Sequence, residues 1–246
     1  KRCPAGEVNS IWLANALEEA LVDAKKGGWA APLKLRCWRT SMKTMVKKAA
    51  EKVGLEVVAS RRTYSLVDWL RERERDLYPK QEGYIGGGPT APPPKGFQNQ
   101  PIPLPEAVRG DAWSFASLPL GVFREAEEWP IEFSGLLPTK KAEDETIPIP
   151  GLRLFSKKRA LALAGWLGGL EPVKLVIEGN QLLLEAGQED RWLVTDMDKE
   201  GAMDANKTLI NSREKAGGLQ FIAVQTTPEE QKFTGFWMLR DISDEY

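Results

Sequence analysis

The chain has 246 residues, 42% hydrophobic and 28% charged, with 34 basic and 35 acidic side chains, nine tryptophans, two cysteines and no histidine. That length makes one large or two medium domains with a sizeable core, and the composition is globular, neither fibrous nor wholly disordered. Without histidine there is no Ser-His-Asp or Cys-His triad, no histidine-ligated zinc and no histidine general base, and Cys3 and Cys37 cannot make a four-cysteine site by themselves.

Two cysteines make no disulfide framework, so a reducing compartment is expected. The longest apolar run, Ala160 to Leu170, is 11 residues with three glycines, too short to span a bilayer. Lys1 to Ser10 lacks the apolar core of a signal peptide. The chain starts without Met, as expected of a processed or trimmed form.

In chain order, Asn9 or Ser10 caps a helix to about Lys26, with the stripe Leu13, Leu17, Ala20, Leu21, Ala24 and a stop at Gly27-Gly28. Pro32 to Arg39 alternates apolar and basic residues and reads as a half-buried strand. Thr40 or Ser41 caps a second helix, with Met42, Met45, Val46, Ala49, Ala50 and Val53 apolar and Gly54 past its end. A short strand follows at Leu55 to Ala59, then a third helix from about Ser65 to Tyr78.

Eight of the 17 prolines fall between 79 and 105, beside Gly86-Gly87-Gly88, which predicts an extended linker. Beyond it, Trp113 to Leu120 reads as a strand and Val122 to Trp129 as a short charged helix. Lys140 to Pro150 reads as a polar, proline-containing connection. The remainder predicts a helix (Ser156 to Leu170), strands at Val173–Glu178, Leu182–Ala186 and Arg191–Asp196, a helix over Lys199–Ala216, and strands at Leu219–Gln225 and Phe233–Arg240.

The expected fold is therefore α/β (α+β), two mixed layer domains joined by a Pro/Gly-rich linker. The division is 1–85, a basic N-terminal domain trimmed at its start; 86–106, the linker; and 107–246, an acidic C-terminal domain. The α-β-β-β-α-β order of the last block is also that of the restriction-endonuclease-like core. Such a nuclease needs Glu/Asp-x-Lys on a central strand, and Glu185-Ala186-Gly187 lacks the lysine, so that fold would be an inactive version.

The net charge of −1 hides a partition. Residues 1–80 carry 17 basic and 10 acidic side chains, and residues 81–246 carry 17 and 25. The basic residues cluster from Lys34 to Arg62, nine against two carboxylates, with Trp38 between Arg36 and Arg39 and Tyr64 just beyond Arg62. Such a cluster attracts phosphates, and aromatic rings beside arginines suit the splayed bases of single-stranded RNA. Arg36, Arg39, Arg61 and Arg62 are the expected phosphate contacts, and Trp38 and Tyr64 the stacking rings. Lys43 and Lys47 are further candidates, although the lysines of the second helix also read as its solvated face. The Arg71 to Asp76 run alternates in sign and reads as a self-compensating helix face.

Gly86-Gly87-Gly88 is followed by proline and by no Gly-Lys-Ser/Thr, so it is not a phosphate loop. No recognised RNA-binding module is evident. Phe236-Trp237-Met238-Leu239 reads first as a buried strand, with partner or RNA contact as the alternative.

Several segments together carry a resemblance. They are Val8-Asn9-Ser10; Ser60-Arg61-Arg62-Thr63-Tyr64-Ser65-Leu66 with Trp69-Leu70-Arg71-Glu72-Arg73; Tyr78-Pro79 with Gly83-Tyr84; Ile149-Pro150-Gly151-Leu152; and Arg159 to Leu167 with Gly169-Leu170-Glu171-Pro172. Leu184-Glu185-Ala186-Gly187 with Arg191-Trp192, then Gly218 to Gln225 and Gly235 to Asp241, complete the set. In this order they resemble the RNA-binding translation factor family of cyanobacteria, algae and plant chloroplasts that promotes translation of the photosystem I reaction-centre B-subunit mRNA.

The resemblance implies a protein that binds A/U-rich mRNA leaders in photosystem biogenesis, in the cyanobacterial cytoplasm or chloroplast stroma, with no catalysis and no cofactor. It implies the translation machinery or photosystem assembly factors as further partners. The family's near-terminal Trp-Leu-Leu, linked to RNA binding, stands here as Trp237-Met238-Leu239. Where the family often has Gly-Leu-His, this chain has Gly218-Leu219-Gln220. The alternatives are a protein-interaction scaffold without direct RNA binding, or a degenerate nuclease-like fold.

Overall fold

The computed structural model describes residues 3–4, 6–38, 42–85, 99–129 and 144–241. The chain forms two compact units, Lys1–Thr63 and Tyr64–Tyr246.

The first unit opens with α1 (Ser10–Lys26), whose Asn9 side chain accepts the Ile11 and Trp12 N–H groups at 2.9 Å each. Those are orphan donors of the first turn, which explains why the helix begins there. Then come β1 (Lys34–Cys37), α2 (Lys43–Lys52) and β2 (Glu56–Ala59), with β1 and β2 parallel in the register Lys34↔Glu56, Arg36↔Val58. Parallel neighbours need a crossover, and α2 supplies it. Gly54, at φ +73°, makes the turn out of α2. Met42 gives α2 no side-chain cap; Thr40 and Ser41, the expected caps, lie outside the described residues. Ala14, Ala49 and Ala50 are the apolar residues fully buried among those described in this unit, small enough for α1 and α2 to pack closely.

The second unit begins with α3 (Tyr64–Asp76), one residue ahead of the expected start. A short β3 (Ile102–Pro103) and β4 (Ala112–Pro119) follow, then a 3-10 helix at Leu120–Glu128, over the stretch where the sequence predicts a short charged helix at Val122–Trp129. Next come β5 (Pro148–Phe155), α4 (Ala160–Leu170), β6 (Pro172–Glu178), β7 (Gln181–Ala186), β8 (Asp190–Asp196), α5 (Lys199–Lys215), β9 (Leu219–Gln225) and β10 (Gly235–Arg240). They form two four-stranded sheets, β10-β9-β5-β4 and β3-β8-β7-β6. The molecule is thus α/β (α+β) with mixed sheets, as the sequence predicts.

Three particulars differ from the expectation. First, Lys140 to Pro150 reads as a polar, proline-containing connection, yet Pro148 and Pro150 open the central strand β5. Its pairing with β9 begins only at Gly151; Pro148 and Pro150 pair with β4 alone, so their missing N–H groups cost the sheet nothing on the other side. Gly151 lies under the Phe221 ring, where a Cβ would stand 2.4 Å from a ring carbon.

Second, the α-β-β-β-α-β order does not make the one sheet of a restriction-endonuclease-like core. β9 pairs with β5 and β10, not with β6. The open edge of β6 is capped by side chains instead: Leu175 N–H donates to Gln220 Oε1 at 3.0 Å, and Arg213 Nη1 donates to Leu175 C=O at 3.1 Å. The Leu175 backbone groups at this edge are thus satisfied without a further strand.

Third, the expected linker at 86–106 runs largely outside the described residues, but Ile102 and Pro103 within it pair parallel with Trp192 and Leu193 of β8. The compact units divide upstream, between Thr63 and Tyr64. The third helix therefore goes with the second unit, where Asp68 accepts both guanidinium nitrogens of Arg240 at 3.0 and 2.7 Å. Apolar side chains from both sheets, α4 and α5 share one core around Leu152, Leu163, Leu184 and Ile222, and a second cluster packs Ile149, Phe221 and Phe236 together.

Candidate nucleic-acid interface

The charge partition follows the structural division. The first unit holds 13 basic and 6 acidic residues, and the second holds 21 and 29. Residues 64–80 carry four basic and four acidic side chains and add no net charge, so the whole positive excess lies in the first 63 residues.

Side chains alternate along a strand, and the parallel register puts Lys34 and Arg36 on the same sheet face as Glu56 and Val58. Lys34 pairs with Glu56 at 3.6 Å across that face. Just past β2, Arg36 Nη1 donates to the Ser60 hydroxyl oxygen at 3.1 Å, and the Arg62 N–H donates to the same oxygen at 3.0 Å. Ser60 is fully buried, so one hydroxyl fixes both the Arg36 head group and the turn that carries Arg61 and Arg62. The Thr63 N–H closes the turn onto Arg61 C=O at 2.9 Å.

The carboxyl ends of the parallel strands thus gather Arg36, Trp38, Arg61 and Arg62. Ligands in parallel α/β units bind at that end. Two groups in the turn remain unsatisfied: Arg62 Nε and Thr63 Oγ1 are buried with no hydrogen-bond partner. Ser60 carried no signal of its own in the sequence; its role follows from a bond to a residue 24 positions away.

Arg39 lies outside the described residues. Lys43 and Lys47 are exposed on α2, and Lys47 reaches Glu51 at 4.0 Å one turn on, the arrangement of a solvated helix face. Tyr64 belongs to the second unit and is 1% exposed, so its ring face is not offered for stacking; its hydroxyl has no hydrogen-bond partner.

The Trp237-Met238-Leu239 segment lies in β10 of the second unit. Leu239 is completely buried and packs in the main core, which removes it as a direct contact. Trp237 and Met238 are half-buried, packed against opposite clusters. The Trp237 ring folds back over Gly235, where a Cβ would stand 2.5 Å from a ring carbon, so the glycine two residues earlier makes room for it.

Glu185, the carboxylate weighed as a metal ligand, is buried beside cations: Arg191 Nε lies 3.9 Å away and Lys174 Nζ 4.0 Å. Among the described residues no group of three or more His, Cys, Asp or Glu is placed to hold a metal ion, and no helix is long and apolar enough to cross a membrane.

The family model described as RNA-binding protein Tab2/Atab2, N terminal, matches residues 1–73, and the one described as RNA-binding protein Tab2/Atab2, C-terminal domain, matches residues 92–240. The chain is 32% identical over 256 residues to the chloroplastic Protein TAB2 homolog of Zea mays, an alignment covering 97% of this chain and 62% of that protein. It is 31% identical over 252 residues to the chloroplastic Protein TAB2 homolog of Arabidopsis thaliana, covering 98% of this chain and 66% of that protein. The chain therefore spans somewhat less than two thirds of the length of these relatives. No solved structure matches it.

Proposed function

This chain belongs to the family of the RNA-binding protein Tab2/Atab2, and from that premise we propose that it binds the single-stranded, A/U-rich leader of an mRNA. In this reading it activates translation for photosystem I biogenesis, in a chloroplast stroma or cyanobacterial cytoplasm. It works as a binding protein, without catalysis or a cofactor, and presents its message to the translation machinery or to assembly factors.

One observation carries the reading: the positive excess is confined to the first unit, and there Arg36, Arg61 and Arg62 gather at the carboxyl end of the β1–β2 pair. Cations so placed release counterions from an RNA backbone, which makes affinity depend steeply on salt. Trp38, at the end of β1, is the aromatic nearest in sequence to Arg36 and supports stacking of a base beside the phosphates.

The test is anisotropy of a labelled A/U-rich oligoribonucleotide against potassium chloride concentration. Replacing Arg61 and Arg62 together by Ala should weaken binding and lower the log–log salt slope by roughly 1.4, two phosphates at about 0.7 each. An unchanged affinity and slope in a folded double variant would remove these arginines from the interface. Absence of RNA binding by the unaltered chain would sink the RNA reading itself.

A further inference from the structure

We propose that Trp29, at the carboxyl end of α1, is a stacking platform for an unpaired base of the bound RNA. The inference rests on the RNA reading above and adds to it a contact that neither the basic cluster nor the family motif contains.

Trp29 is 75% exposed. Water contact over that much of an indole is unfavourable, because an aromatic ring gains from burying its apolar faces. The exposure does not come from a loose loop. Gly28, at φ +79°, closes a Schellman turn: its N–H donates to Lys25 C=O at 3.1 Å, and the Trp29 N–H donates to Ala24 C=O at 3.0 Å. The indole lies against Gly27, where a Cβ would stand 3.1 Å from Cδ1. One part of the ring rests on the helix end and the rest faces solvent. A ring held this way loses little freedom when a base stacks on it.

The surroundings select the partner. Lys25 and Lys26 occupy the last turn of α1, and Lys34, five residues after Trp29, opens β1. Lys26 pairs with Asp23 at 3.8 Å and Lys34 with Glu56 at 3.6 Å, all with side chains more than half exposed. Exposed pairs of this kind are worth little and give way to phosphates. The unit's net charge of +7 brings a polyanion to this surface.

The other exposed tryptophan among the described residues, Trp69 at 46%, belongs to the second unit, and one face of its ring is taken by the Arg73 guanidinium 4.0 Å from the centroid. Leu33 is also exposed, at 86%, and provides the control. A base stacks on an aromatic ring and gains nothing comparable from leucine, whereas an apolar protein patch or a lipid surface would engage Trp29 and Leu33 alike.

The experiment measures binding of a short single-stranded A/U oligoribonucleotide to the full chain and to Trp29→Ala, Trp29→Phe and Leu33→Ser. Each variant's fold is checked by circular dichroism. A parallel oligonucleotide carries 5-bromouridine for photocrosslinking. Expected are roughly tenfold weaker binding for Trp29→Ala with an unchanged salt slope, recovery of most of that loss in Trp29→Phe, no change in Leu33→Ser, and a crosslink on the peptide containing Trp29.

If Trp29→Ala binds like the unaltered chain while the Arg61/Arg62 double variant loses affinity, the platform is wrong and the RNA reading stands. If the unaltered chain binds no RNA, both fail. If Leu33→Ser loses as much as Trp29→Ala, or the unaltered chain sediments with anionic vesicles and Trp29→Ala does not, the loop is a docking patch for an apolar surface and the platform is overturned.

Discussion

The Gln220 side chain, wholly buried, accepts the Leu175 backbone N–H at 3.0 Å and so joins the two four-stranded sheets of the second unit. Gln220 lies in β9 and Leu175 at the open edge of β6. Gln220 thus has a structural duty that an amide performs.

Removing that acceptor leaves a buried N–H unsatisfied, which costs about 1–3 kcal/mol. Gln220→Ala is therefore expected to lower the urea midpoint by that equivalent without changing the slope of the transition. A variant as stable as the parent would show that the bond does not hold the sheets together.

The carboxylate of Asp111 accepts the Lys157 N–H at 2.9 Å, the Arg159 Nη2 at 3.0 Å and the Ser156 hydroxyl at 3.1 Å. The Lys157 amide bond above all, then Arg159, holds its pKa below the ordinary carboxylate value. A carboxyl group depressed in the folded state stabilises fully above its unfolded pKa, near 3.9. That contribution is lost as the pH falls through the lower folded value. Asp111→Asn should flatten this part of the acid limb, seen as urea midpoints that fall less steeply as the pH drops through the carboxylate range. An acid limb unchanged in the variant would refute the assignment.

Leu239 is fully buried in the main core while Trp237 beside it in β10 is half-buried. Truncating Leu239 to Ala is expected to cost about 2–5 kcal/mol of stability, as large-to-small core changes do. RNA affinity per folded molecule should not move when measured well below the melting temperature. A variant with unaltered melting temperature and lost RNA affinity would place Leu239 at the interface instead of in the core.

Much of the local structure was legible in the chain, because its signals are local. Asn9 stands where the first helix needs an acceptor, and Gly54 where the second must turn out. The basic cluster was legible too, since charge needs only counting. Tyr64 was not: a tyrosine next to two arginines reads the same whether its ring ends 1% exposed or open. Trp29 was not legible either: a tryptophan after two glycines gives no sign of its 75% exposure until its surroundings are known.

The sequence by itself determined the order of most helices and strands and the charge difference between the two parts of the chain. Only the tertiary structure decided that Pro148–Phe155 is a central strand, that the sheets stay separate, and which aromatic rings face water. The physical reason is distance along the chain. The pairing of Gly151 with Phe221, the bond from Leu175 to Gln220 and the fixing of Arg36 by Ser60 join residues whose local patterns do not refer to one another. Periodicity and capping act within a few turns, whereas these contacts form only when separate elements pack.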